Sequence, residues 1–295
     1  HGPEKTLRLF IPFILIFIWV SACGTPTKKH RKRYAKQDQS ERYYKKFQKK
    51  PVLAKKKAPP KLQSPPRHTT PVDTSLLPTI LNEKDQTLMI LINQGKYLVG
   101  VKKIETSEIL RPDENGSRFV TLSAFYIDRT EITVENFQKF QPRYSEKPYT
   151  NGKPCPQCPA MGIDWNQARK YCQWADKRLP SEEEWEAAAR GNSTFTWPWG
   201  NEFRPKHANT FGKEDGHLSV APVASFPAGA SPYGVMDMTG NVWEWVHTKN
   251  KDLQIVKGGG WTSYNNQSKI SFRNKVEAKL KNPTFGFRCQ RDAGL

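Results

Sequence analysis

Residues 233–245 read YGVMDMTGNVWEW. The stretch has neither a helical nor an alternating period, yet it packs two tryptophans, two methionines and two acids around a glycine. Trp243 and Trp245 are expected in a core, because rings of that size dominate the apolar surface a fold can remove from water. Asp237 and Glu244 bracket the turn, and a tightly turned chain carrying carboxylates and outward carbonyls suits a hard cation that wants six to eight oxygens. Upstream, ANTFGKEDGH (208–217) repeats the theme with Asn209 and Asp215. From Gly191 onward the chain is turns and short aromatic pieces, FTWPWGNEF and KGGGWTS among them. A body so poor in regular elements needs something besides secondary structure to hold it.

Further toward the N-terminus the signals are more regular. DWNQARKYCQWADKR places Trp165, Ala168, Tyr171, Cys172 and Ala175 on one helical face, with Asp164 as N-cap. SEEEWEAAARG offers Ser181 as N-cap, Glu184 three residues later for a capping box, and Gly191 as the stop. RFVTLSAFYIDRTEIT reads as strand and runs into a short helix, VENFQKF, capped by Thr133. TLMILINQGKYLVGV shows two apolar runs broken at Gln94-Gly95, which predicts a hairpin.

Six segments taken in order, AFYIDRTEIT, AMGIDWNQARKYCQWADKRLPSEEEWEAAARG, WPWGNEF, YGVMDMTGNVWEW, VKGGGW and GFRC, resemble the formylglycine-generating enzyme (sulfatase-modifying factor) family. The resemblance spans about residues 85 to 292. It implies an α+β domain, a variant of the C-type-lectin-like fold with little regular secondary structure, stabilised by one or two calcium ions. By that resemblance, one site would take the Asp237 and Glu244 side chains with the Gly240 and Val242 carbonyls. The other would take the Asn209 and Asp215 side chains with the Thr210 and His217 carbonyls.

Apart from Cys23, four cysteines remain, an even number in a chain that reads as exported, which points to disulfides. Cys172 and Cys289 fall where the family joins its second helix to the GFRC segment. Such a bridge would close a loop of 117 residues, and in the chain-entropy model a loop of that size contributes roughly 4 to 5 kcal/mol. Cys155 and Cys158, in PCPQCP, match no family feature. A local disulfide is the expectation there, ahead of redox chemistry, and zinc would need two further ligands that no neighbouring residue supplies.

Residues 258–273, GGGWTSYNNQSKISFR, decide the activity. In active family members the segment after the glycine pair carries two cysteines five residues apart, which bind copper(I) and activate oxygen to oxidise a substrate cysteine. Here Ser263 and Ser268 fall at those positions. A serine hydroxyl is a poor ligand for soft copper(I) and stays protonated at neutral pH, so no copper is expected. Ser263 as a nucleophile would need an adjacent base, and nothing fixes His217 or His247 beside it. The branch of the family that performs iron chemistry uses histidines of a fused helical domain, and the segment before residue 80 holds only His30 and His68. The resemblance then implies a groove lined by Trp261, Tyr264, Asn265 and Asn266 for a peptide or a sugar.

The N-terminal quarter sets the context. Lys5 and Arg8 precede an apolar run, Leu9 to Val20, which is too short for a spanning helix and reads as an export signal. VSAC resembles the lipobox of bacterial lipoproteins, which implies a signal peptide over 1–22 and acylation of Cys23. Gly24 rather than Asp after that cysteine favours the outer membrane. Residues 24–70 hold 16 Lys and Arg against two acids, so about +14 of the net +19 sits in this stretch. Its charge, prolines and lack of apolar period predict a disordered tether over 23–75. The tether serves as a solvated spacer or meets anionic envelope partners such as peptidoglycan carboxylates or lipid phosphates, and nucleic acid is not expected. The domain itself is expected over 80–295. The functional expectation is a non-catalytic, calcium-stabilised binding or scaffolding lipoprotein facing the periplasm, part of a protein assembly such as a gliding or secretion machine. Against it stand an enzyme with altered, non-copper chemistry in the Ser263 to Lys275 segment, and a lectin using calcium to hold sugar.

Overall fold

Among the described residues three α-helices lie where their caps are written. The computed structural model describes residues 78–100, 116–248 and 253–294; the leader, Cys23 and the tether lie outside the described residues. Helix α1, Val134–Phe140, starts at Thr133, whose hydroxyl accepts from the Asn136 amide. Helix α2, Trp165–Trp174, opens with a capping box in which the Asp164 carboxylate takes the Gln167 amide at 2.9 Å and the Gln167 side chain takes the Asp164 amide. Helix α3, Glu182–Arg190, repeats the device with Ser181 and Glu184 and stops at Gly191, which adopts φ +61°. Each cap satisfies donors that the first helical turn leaves unpaired, and its loss costs about 1 kcal/mol.

Ten strands, none longer than five residues, make three small sheets among the described residues. In the first, β1 (Thr79–Leu81), β2 (Leu88–Ile92), β5 (Phe125–Asp128) and β10 (Gln290–Asp292) lie in that order, all antiparallel. The second pairs β3 (Gly95–Val99) with β4 (Arg118–Leu122). The third runs β8 (Arg273–Glu277), β7 (Leu253–Lys257), β6 (Trp243–Val246) and β9 (Phe285–Gly286), with β6 and β9 parallel.

The predicted hairpin across Gln94-Gly95 does not form. Strand β2 pairs Met89 with Asp128 and Ile90 with both Thr79 and Ile127, so its two edges are already taken by β1 and β5. The chain turns after Ile92 and β3 pairs instead with β4, Tyr97 opposite Val120. Local apolar runs cannot report this, because the choice of partner is made by residues about thirty positions away in β5.

Among the described residues, two of the three buried apolar clusters are large. One gathers Phe137, Tyr171, Phe287, Trp243 and Trp245 around α2, with the Phe137 and Tyr171 rings stacked at 5.5 Å. The buried Cys172 and Cys289, joined by a disulfide, sit within it and tie α2 to the C-terminal segment. The other surrounds Trp185 of α3 with residues of β2, β5 and β7. A second disulfide joins Cys155 to Cys158 inside one turn.

Between the first sheet and the end of α2 lies a buried ion cluster. Lys177, just past α2 and fully buried, donates to Asp85 at 2.8 Å and to Asp128 at 2.7 Å, both carboxylates also buried. Tyr171 donates to the same Asp85 oxygen, Oδ2, at 2.9 Å. The cluster pins the β1–β2 turn and the end of β5 to α2. Removing one partner of a buried pair strands the other charge. Lys177→Met is therefore expected to lower unfolding free energy by about 3 to 5 kcal/mol, read from the urea midpoint; an unchanged midpoint would refute the role.

Candidate functional site

The turn of Asp237 to Glu244 is built on three left-handed residues in eight, Asp237 at φ +58°, Gly240 at +76° and Asn241 at +58°. At Gly240 a side chain has no room, since a Cβ there would stand 2.1 Å from the Asn209 carbonyl oxygen. The chain crosses Asn209 at van der Waals range because Asn241 donates its amide to the Asn209 carbonyl at 2.8 Å. Asn241 then uses its whole carboxamide: its oxygen accepts from Asn209 Nδ2 and the Ala221 amide, and its nitrogen donates to Glu131 at 3.0 Å. One buried asparagine thus joins the two loops that carry the candidate cation ligands.

Behind this turn stands a guanidinium. Arg288 of the GFRC segment is wholly buried and donates to both oxygens of Glu244 at 2.7 Å, while Trp185 Nε1 donates to Glu244 at 2.8 Å. Its remaining donors reach the carbonyls of Asp128, Arg129 and Met236. Burial alone would lower the Arg288 pKa, but the carboxylates of Glu244, Glu131 and Asp237 outweigh it and hold it above the ordinary value.

Three buried acids face that single base. Glu131 lies 4.0 Å from Arg288. Burial raises the Glu131 pKa well above the usual carboxylate range, and the charge of Asp237 adds to it. Asp237, which accepts from the Ala224 amide at 2.6 Å, is raised by burial as well. Glu131 Oε2 has no hydrogen-bond donor among the described residues. A divalent cation would offset the burial and mutual repulsion that raise these two carboxyls. Glu244 is already engaged by Arg288 and Trp185, so Glu131 and Asp237 are the better-placed carboxylates.

The other expected site has an orphan of its own. Asn209, fully buried, donates through Nδ2 to the Ser219 carbonyl and to Asn241, but its Oδ1 accepts nothing. The Asp215 carboxylate takes the Thr210 amide at 2.9 Å and the His217 amide at 2.8 Å, closing the loop over Asn209. A hard cation here would take the open Asn209 Oδ1 together with carbonyls of this loop, since both Asp215 oxygens already accept backbone amides. Among the described residues no three His, Cys, Asp or Glu side chains stand at metal-holding spacing. Either site would therefore rely on the carboxamide and backbone carbonyls to complete its shell.

The glycine-rich loop is organised around the two serines. Ser263 and Ser268, both buried, straddle Gly259, where a Cβ would meet Ser268 Cβ at 3.0 Å and Ser263 Cβ at 3.3 Å. Their hydroxyls serve the loop itself: Ser263 Oγ accepts from the Gly260 amide at 2.9 Å and Ser268 Oγ donates to the Asn265 carbonyl at 2.9 Å. Their hydrogen bonds to described residues include no histidine and no carboxylate. His247 stacks on Trp165 and His217 meets Phe226 edge-on instead. Over the serines, Tyr264, Asn265 and Asn266 form an exposed turn. Tyr264 packs against Phe211 with ring centroids 4.9 Å apart, though both rings are more than half exposed, and the Phe211 amide donates to the Ser263 carbonyl. Trp261 lies half-buried on Cys158, Met161 and Val242.

Sequence reasoning passed over Glu131, Asn241, Arg288 and Phe211. Glu131 sits in a strand-like run and Arg288 in a motif read only as a cysteine carrier. Only their convergence in space gives them a role.

This fold, with its paired loops and serine-lined turn, is that of the formylglycine-generating enzymes, a C-type-lectin-like variant. The chain belongs to the sulfatase-modifying factor enzyme 1-like domain family, whose model matches residues 78–293. It is 38% identical over 154 residues to the inactive C-alpha-formylglycine-generating enzyme 2 of Bos taurus, covering 46% of this chain and 51% of that protein. It is 34% identical over 176 residues to the formylglycine-generating enzyme of Streptomyces coelicolor, covering 48% of this chain and 54% of that one. The chain thus spans about half the length of these relatives. The structure of PvdO from Pseudomonas aeruginosa superposes with a TM-score of 0.64 at 25% identity, over 73% of this chain and 98% of that one.

If the Ser263 hydroxyl serves the loop, Ser263→Ala leaves the buried Gly260 N–H without an acceptor. Denaturant unfolding of that variant should show a loss of about 1 to 3 kcal/mol. A loss near zero would mean the hydroxyl is free for other work.

Proposed function

We propose that the chain is a non-catalytic scaffold that binds a protein partner through the turn above Ser263 and Ser268. The observation that carries this reading is the fate of the two hydroxyls. Both are spent on backbone groups of their own loop, where copper chemistry would require two free thiolates. The kinship with a relative named as inactive supports it, although other relatives are named as enzymes. The exposed Tyr264 and Phe211 pair and the Asn265-Asn266 carboxamides offer the mixed aromatic and polar surface typical of the centre of a protein contact.

Calcium belongs to this reading as a structural ion. Asn209 and Asp215, with the Thr210 and His217 carbonyls, would hold one ion. Glu131 and Asp237, with the Gly240 and Val242 carbonyls, would hold a second. Such ions neutralise buried charge and fix loops; they perform no chemistry here. Acylation of Cys23 would place the domain on the bacterial outer membrane facing the periplasm, with the basic tether as spacer or as a contact for anionic envelope components. The partner would be another subunit of an envelope assembly, of the gliding or secretion kind.

Copper and oxygen give the sharpest test of the non-catalytic claim. The full chain should bind no copper(I) in competition with a chelating probe and should consume no oxygen with a cysteine peptide, whereas Ser263→Cys with Ser268→Cys should gain copper(I) binding. Oxygen uptake by the unmodified protein would overturn the proposal. For the partner, cross-linking in cells should lose its adduct when Tyr264 and Phe211 are both changed to alanine, with the melting temperature preserved. An unaltered adduct would move the contact elsewhere.

A further inference from the structure

A second cleft lies apart from the serine loop and shares none of its lining. Its volume is about 420 Å³, and it is bounded by Asn93 and Gln94 of the β2–β3 turn, by Gly95 to Leu98 of β3, by Phe119 of β4, by Asn192 to Thr194 after α3, and by Tyr233. That volume falls within the range of about 300 to 1,000 Å³ usual for small-ligand sites.

The chemistry of the lining is uneven in an informative way. Among the described residues the lining holds no carboxylate and one cation, Lys96, which lies over the Phe119 ring at 5.3 Å. Three carboxamide residues, Asn93, Gln94 and Asn192, line the cleft, all of them exposed. Each offers a donor pair and an acceptor at fixed angles. Phe119 is 62% exposed, an expense that a surface ring on a two-stranded sheet does not incur for packing.

The floor is polarised. Tyr97 is buried and donates its single proton to the Asn93 carbonyl at 2.6 Å. The 3.1 Å contact between the Tyr97 and Tyr233 hydroxyls must then be donated by Tyr233. Tyr233 is left with lone pairs and no proton to give, so it can only accept from a ligand. Burial and the Tyr233 hydroxyl both raise the Tyr97 pKa, which keeps this arrangement protonated across the physiological range.

We infer that this cleft is a binding site for a neutral saccharide, the Tyr233 hydroxyl and the Asn93, Gln94 and Asn192 carboxamides pairing with sugar hydroxyls while the Phe119 ring supports an apolar sugar face. A ligand of this class supplies in one rigid body the hydroxyl donors Tyr233 requires, the acceptors the amides require and a flat C–H surface. A metal ion would find no carboxylate, and an acidic ligand would find one lysine already engaged by an aromatic ring. The site would add a glycan contact to a domain whose protein contact lies on another loop.

Titration calorimetry of the full chain with cellotriose, maltotriose and chitotriose tests this, with trigalacturonate as the charged comparison. At least one neutral trisaccharide should bind, and Asn192→Ala and Phe119→Ala, both at exposed positions, should each weaken it roughly tenfold with unchanged melting temperature. No heat from any neutral trisaccharide at about 10 mM would overturn the inference. So would binding of trigalacturonate alone, or binding that both variants leave intact. None of these results bears on the protein contact at Tyr264.

Discussion

A buried guanidinium organises this domain. Arg288 enters from the C-terminal segment and holds, at once, Glu244 of β6 and the carbonyls of Asp128, Arg129 and Met236. Those groups belong to three stretches that no sheet joins directly. Because a buried charge is tolerated only when fully paired, Arg288 fixes where each stretch runs, and the Cys172–Cys289 disulfide beside it anchors the segment that delivers it. The same demand then passes outward: three acids gather around one base, Asn241 ties Glu131 to Asn209, and the loop of Asp215 closes over Asn209. Loops without sheet or helix are held by an unbroken chain of polar contacts.

The helices were legible because a cap is a local event: Asp164 with Gln167, and Ser181 with Glu184, lie three residues apart, and apolar spacing did the rest. The pairing of β2 was not, since Ile90 chooses Ile127 and Thr79 over its neighbour β3, and that choice depends on what covers each edge. The family resemblance identified the two loops whose acids and amides converge, but it gave no hint that Glu244 is committed to Arg288 and Trp185. Glu131 escaped notice for the opposite reason. A lone glutamate in a strand-like run is ordinarily a solvated charge, and only burial beside Asp237 makes it unusual.

On the proposed non-catalytic reading, the loop at Ser263 and Ser268 would have lost one chemistry while keeping its shape. Thiol replaced by hydroxyl at two positions changes few atoms, but a hydroxyl is a good hydrogen-bond partner for a backbone amide or carbonyl and a poor one for copper. Both serine hydroxyls bond to backbone groups of the turn that presents Tyr264 and its neighbours. Recognition would rest on that turn and, on another face, on the amide-lined cleft below Phe119.

The proposed divalent ions would balance the buried acids about Arg288 and the open Asn209 oxygen. Thermal unfolding of the full chain at neutral pH, with calcium and with EGTA in excess, measures that balance directly. The account predicts a clear fall in melting temperature on chelation, restored by calcium. Identical transitions in both conditions, with no calcium retained on equilibrium dialysis, would contradict it.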